Sequence, residues 1–126
     1  WSKLLYNSPA NGMASAARLS PRDLMEFPEG AAMFRSAIQE VADVGTAFGV
    51  QFGQDDVQGA MDLIAARPKG ARGSMQADLE AGRPLELEAI VGSVGRIGRK
   101  LNVPTPIFDM LYTLLLPHID GSSASC

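Results

Sequence analysis

The sequence predicts an all-α fold, a compact bundle of about six or seven helices. Apolar residues recur at spacings of three and four along nearly the whole chain, as in Phe34, Ala37, Ile38, Val41, Val44 and Phe48. No segment alternates apolar and polar residues for long enough to form a strand. Proline, glycine and short polar residues punctuate the chain where helices start and stop.

The first helix is expected from about Trp1 to Arg18, with Trp1, Leu4 and Leu5 on its apolar face. Pro9 lies inside that pattern and should kink or interrupt it, because proline removes a backbone donor and crowds the preceding turn. Ser20-Pro21 forms an N-cap and first-turn pair for a short helix through Met25. Pro28 opens a long helix that ends near Gly49. After a QFGQ loop, Asp55 and Asp56 mark a helix N-terminus, and Val57, Met61, Leu63 and Ile64 form its buried side. The basic linker ARPKGARG follows, then a short helix, SMQADLEAG, with Ser74 as cap and Gly82 as stop. Pro84 starts the next helix, whose stripe is Leu87, Ile90, Val91, Val94, Ile97 and Leu101. VPTP breaks the chain once more. The last helix, PIFDMLYTLLLP, is apolar on most sides and should be the most enclosed.

With 126 residues the chain fits one domain. The expected division is a helical domain over 1–118 and a disordered tail over 119–126. A net charge of −3 opposes a nucleic-acid surface, which needs a basic excess. Two local basic clusters, Arg67, Lys69 and Arg72, and Arg96, Arg99 and Lys100, read as a solvated loop and a helix C-terminal turn. Cys126 is the only cysteine, so neither an internal disulfide nor a thiolate metal cage is available. No apolar run reaches the length of a membrane span, and no signal-peptide pattern opens the chain. A cytoplasmic location is the expectation. The chain opens without Met and inside a helical pattern, as a piece of a longer protein would.

Lys3, Asn7 and Asn11 recur at steps of four. Each step drifts by only about 40° around a helix, so the three side chains share one face. Asn is a poor residue for a helix interior. The stripe offers an ammonium donor and two amides, a set suited to a small ligand rich in oxygen, or to a solvated face. Glu86 falls in the first turn of a helix, where exposed N–H groups favour a carboxylate. Ser74 reads as an ordinary cap. Gly92, Gly95 and Gly98 lie inside an amphipathic helix, not after a strand, so they read as a helix-packing surface and not as a phosphate loop. His118 has no partner histidine and no metal motif, so it reads as a surface residue.

The segments WSKLLYNSPAN and SMQADLEAGRPLELEAIVGSVGRIGRKLNVPTPIFDMLYTLL resemble the C-terminal domain of ketopantoate reductases (2-dehydropantoate 2-reductases). The first carries the family's Lys, Asn, Asn pattern. The second carries its Ser-Met…Asp-Leu-Glu-Ala-Gly-Arg-Pro…Glu run, the VPTP break and the leucine-rich closing helix. The resemblance implies an all-α domain like the C-terminal domain of 6-phosphogluconate dehydrogenase. It also implies an NADPH-binding Rossmann domain on the N-terminal side, outside this chain. By that resemblance Lys3 matches the general acid, Asn7, Asn11 and Ser74 match substrate-binding residues, and Glu86 matches an acid near the lysine and the cofactor ribose. The implied activity is NADPH-dependent reduction of a 2-keto acid in pantothenate biosynthesis, with this domain inert for hydride transfer by itself. Two positions depart from the pattern. The turn after the first helix reads Ser20-Pro21-Arg22 where Asn-Gly is frequent, and Leu85 stands where Thr is common. The substrate within the 2-keto acids therefore stays open. So does a repurposed helical module that binds a small acid, performs non-redox catalysis or serves dimerisation; a homodimer is a possible partner state.

Overall fold

A computed structural model describes residues 1–121, and all its regular elements are helical. The seven α-helices are α1 (Ser2–Ala17), α2 (Pro21–Met25), α3 (Pro28–Phe48), α4 (Gln54–Ala65), α5 (Ser74–Ala81), α6 (Ser93–Lys100) and α7 (Pro106–Leu115). A π-helical turn, Glu88–Gly92, runs directly into α6, and a 3-10 turn, Leu116–His118, follows α7.

Helix α1 is the axis of the bundle. It is buried without a break from Ser8 to Ser15 and touches α2, α3, α4, α5, the π turn and α7. Of the two expected effects of Pro9, a kink or an interruption, the second does not occur, and the helix runs through the proline. Packing on every side outweighs a local penalty of about 3 kcal/mol for an interior proline. Phe34, Ile38 and Val41 of α3, Ile64 of α4, Leu87 and Val91, and Phe108, Leu111 and Leu115 of α7 complete the core around it.

Several buried faces differ from those the periodicity predicts. Phe48 and Leu63 are 59% and 58% exposed: Phe48 is the last residue of α3, and Leu63 lies off the side of α4 that buries Val57, Ala60, Met61 and Ile64. The last helix is not the most enclosed. Only Phe108, Leu111 and Leu115 of α7 are buried, while Met110 and Leu114 on its other side are about half exposed. Pro84 does not open a helix either. Residues 83–86 form no regular element, and helical structure begins at Leu87. Gly73 is the N-cap of α5, which makes Ser74 its first helical residue, and Gly82 ends it in the left-handed region at φ 73°.

The glycine-packing expectation is met at α6. A Cβ on Gly98 would lie 2.8 Å from the carbonyl oxygen of Val103, and one on Gly95 would lie 3.1 Å from Asp109 Oδ1. The chain that leads into α7 therefore rests directly on α6. The fold also extends past 118. The carbonyl of Ile119 accepts the Leu85 N–H at 2.9 Å, and Gly121 is buried against the Gly82 backbone. The rest of the expected tail, 122–126, lies outside the described residues.

Candidate active site

The first two turns of α1 and the π turn with α6 face each other across a cleft of about 440 Å³. Lys3 and Asn7 line one wall. Ala89, Ile90, Ser93 and Ile97 line the other. Trp1 and Phe48 stand at its edge as a tilted aromatic pair with ring centroids 5.5 Å apart. Ser8 lies at the floor, fully buried, and its hydroxyl has no hydrogen-bond partner in the protein.

The Lys-Asn-Asn stripe follows a depth gradient, since each step of four carries it about 6 Å along the helix. Lys3 is exposed, Asn7 half-buried and Asn11 buried. Lys3 forms no ion pair among the described residues, so its ammonium is available to an incoming oxygen. Asn11 is used differently from Asn7. Its Nδ2 donates to the carbonyl of Asn7 at 3.1 Å and its Oδ1 accepts the Met75 N–H at 3.2 Å. Asn11 thus satisfies a free donor at the start of α5, where the capping residue, glycine, has no side chain to do so. It does not line the cleft.

Ser74 and Glu86 are exposed and are not among the cleft-lining residues. Ser74 sits beside the Asn11–Met75 bond at the N-terminus of α5. Glu86 directly precedes the helical turn that forms the second wall, and its carbonyl accepts the Ile90 N–H at 3.1 Å. Of the five residues singled out in the sequence, Lys3 and Asn7 therefore meet in one cleft, and Asn11, Ser74 and Glu86 are not part of its lining. The periodicity assigns Ile90 and Ile97 to the core stripe, whereas both are only half-buried and face the cleft. Ser93 also lines the cleft, and no motif in the sequence marks it.

The basic clusters are largely neutralised. Lys69 pairs with Glu26 at 2.8 Å, Arg72 with Glu80 at 3.1 Å, Arg96 with Glu88 at 2.6 Å and Arg99 with Asp109 at 3.5 Å. Arg67 turns inward instead of facing solvent, and donates to the Tyr6 hydroxyl at 2.6 Å. His118 is half-buried in the 3-10 turn. No cluster of potential metal ligands occurs among the described residues. Ser20, in the turn that departs from the resemblance, is fully buried. Its hydroxyl accepts the N–H groups of Asp23 and Gly70, both at 3.2 Å, so it is committed to the fold.

The profile of the ketopantoate reductase PanE/ApbA C-terminal domain matches residues 1–118. The chain belongs to the ketopantoate reductase family. A 2-dehydropantoate 2-reductase of Mycobacterium tuberculosis is 34% identical over 121 residues, which span 96% of this chain and 40% of that protein. A dimeric ketopantoate reductase from Staphylococcus aureus superposes with a TM-score of 0.88 at 30% identity, over 94% of this chain and 41% of that one. A D-mandelate dehydrogenase solved with NADH and anilino(oxo)acetate shares the fold, with a TM-score of 0.84 at 23% identity over 98% of this chain. The chain spans about two fifths of the length of the ketopantoate reductases it matches. These comparisons bear out both the family resemblance and the helical C-terminal fold that it implied.

Proposed function

We propose that this chain is the substrate-binding and catalytic C-terminal domain of an NADPH-dependent 2-dehydropantoate 2-reductase, which reduces a 2-keto acid to a 2-hydroxy acid in pantothenate biosynthesis. The observation that carries this reading is the unpaired Lys3 ammonium beside Asn7 at the mouth of an open cleft. Ketone reduction builds negative charge on oxygen. Lys3 stabilises that charge by donating a hydrogen bond, then delivers the proton that completes the hydroxyl. The carboxamide of Asn7 orients the same oxygen or the neighbouring carboxylate. Asn11 acts one turn deeper by holding the backbone of Asn7. Ser74 approaches the substrate carboxylate from the start of α5.

The residues present suit the edge of a nicotinamide dinucleotide and not its phosphates. Glu86 is an exposed carboxylate that can accept hydrogen bonds from ribose hydroxyls but would repel a pyrophosphate. The glycines of α6 are closed off by packing. The bound cofactor supplies the hydride and is held mainly by a Rossmann domain outside residues 1–118. This helical domain is therefore inert for hydride transfer by itself. A cytoplasmic enzyme agrees with the finding that no helix among the described residues is long and apolar enough to cross a membrane. The exposed Met110 and Leu114 of α7 are the homodimer contact in this reading, as a related enzyme is dimeric.

The test is steady-state reduction of ketopantoate by the full-length protein. Lys3→Ala should lower kcat by about 10²- to 10⁴-fold, the usual contribution of general-acid catalysis. An undiminished kcat would remove Lys3 from the reaction.

A further inference from the structure

The second wall of the cleft begins in an irregular helical turn. The π turn Glu88–Gly92 carries hydrogen bonds one residue longer than an α-helix, with the Ser93 N–H donating to the Glu88 carbonyl. Such turns are rare and are disfavoured unless something holds them. Here the holding groups are visible. The Ser93 hydroxyl donates to the Ala89 carbonyl at 2.8 Å, and Arg96 Nη2 donates to the Glu88 carbonyl at 3.1 Å. Arg96 Nη1 also donates to Glu88 Oε1 at 2.6 Å, and the Tyr112 hydroxyl of α7 donates to Glu88 Oε2 at 2.5 Å. Arg96 thus clamps both the backbone and the side chain of Glu88, and Tyr112 anchors the assembly to α7.

The π turn changes which side chains face the substrate. Each residue of a π turn advances less around the axis than the roughly 100° of an α-helix, so the turn sets the phase of every side chain after it. Ala89 and Ile90 in the turn and Ser93 and Ile97 after it together line the cleft. Glu88, Gly92 and Arg96, each one residue earlier, instead line a separate groove of about 290 Å³ together with Tyr112.

We propose that the Glu88–Arg96–Tyr112 clamp is a positioning device that holds the π turn, and through it sets the wall presented to the 2-keto acid. None of the three residues lines the substrate cleft. The proposal rests on that cleft being the substrate site. Its geometric half, the clamp holding the turn, stands apart from the chemistry. Releasing the clamp lets the helix revert to α spacing, which rotates Ser93 and Ile97 away while Lys3 and Asn7 stay in place. The consequence is a loss of substrate affinity with the proton-transfer step retained.

The experiment compares wild type, Arg96→Ala, Arg96→Lys and Tyr112→Phe in the full-length protein, with Lys3→Ala as reference. It reads kcat and KM for ketopantoate together with amide hydrogen exchange over residues 88–97. Arg96→Ala should raise KM about tenfold, leave kcat within about threefold, and speed exchange in 88–97 but not in α3. Tyr112→Phe should do the same more weakly. Arg96→Lys should restore part of the KM, because an ammonium can meet either the carboxylate or the carbonyl. Unchanged exchange in 88–97 in both Arg96→Ala and Tyr112→Phe would overturn the clamp. Faster exchange with an unchanged KM would overturn its role at the substrate. If Lys3→Ala is fully active, the catalytic reading fails while the exchange data still judge the clamp.

Discussion

Asn7 and Asn11 are chemically identical and one turn apart, yet the fold gives them separate tasks. Asn11 spends its donor on the Asn7 carbonyl and its acceptor on the Met75 N–H, both inside the protein. Asn7 presents its amide to the cleft. Asn11→Ala leaves the buried Met75 N–H without its acceptor, and should destabilise the protein by about 1–3 kcal/mol. Asn7→Ala should leave the thermal unfolding midpoint within a degree or two and raise KM instead. Calorimetry and kinetics on the two variants separate these roles, and an equally stable Asn11→Ala would show that its bonds are not structural. The alternation of Lys, Asn and Asn at steps of four is readable in the sequence. The division of labour is not, because it depends on what packs against each turn.

Helix α7 shows how one element is completed by another. Its first N–H groups need acceptors, and its own N-cap makes no side-chain cap bond. Glu40 of α3 supplies them, with its carboxylate accepting the Ile107 N–H at 2.9 Å and the Phe108 N–H at 3.2 Å. Burial pushes the Glu40 carboxyl above its ordinary 4.5, aided by the nearby Asp109 and Asp43, and the two N–H bonds only partly counter this. The folded value is raised, so the linked stabilisation is full below the ordinary value and is lost as pH rises through the folded one. Stability relative to Glu40→Gln should therefore decline as pH rises above about 4.5. Urea titrations of both proteins at stepped pH would show it, and parallel pH profiles would refute it. At the same scale, the amphipathic pattern located every α-helix but misplaced two boundaries. Proline at 84 reads as a helix start, yet the next residue first gives its N–H to the Ile119 carbonyl, outside any helix.

Over the whole molecule, the apolar residues divide into one core around α1 and a few outer patches. The patch on α7, Met110 and Leu114, lies on the side that periodicity alone would have buried. An apolar surface of this kind favours a protein contact over continued hydration. In the full-length protein, Leu114→Glu should shift the sedimentation profile from dimer toward monomer across a concentration series. A wild-type protein that stays monomeric at the highest concentration would remove the dimer, and a Leu114→Glu protein that still dimerises would place the contact elsewhere.

The sequence by itself determined the helical class, the order of the elements and the family, because these depend on local periodicity, capping residues and spacings that a linear chain displays. Only the tertiary structure decided which carboxamide reaches the cleft, that α7 is capped from 67 residues away, and that a π turn shapes the second wall. Those outcomes depend on side chains distant in sequence meeting in space. A hydrogen bond across two helices leaves no period in the chain that makes it.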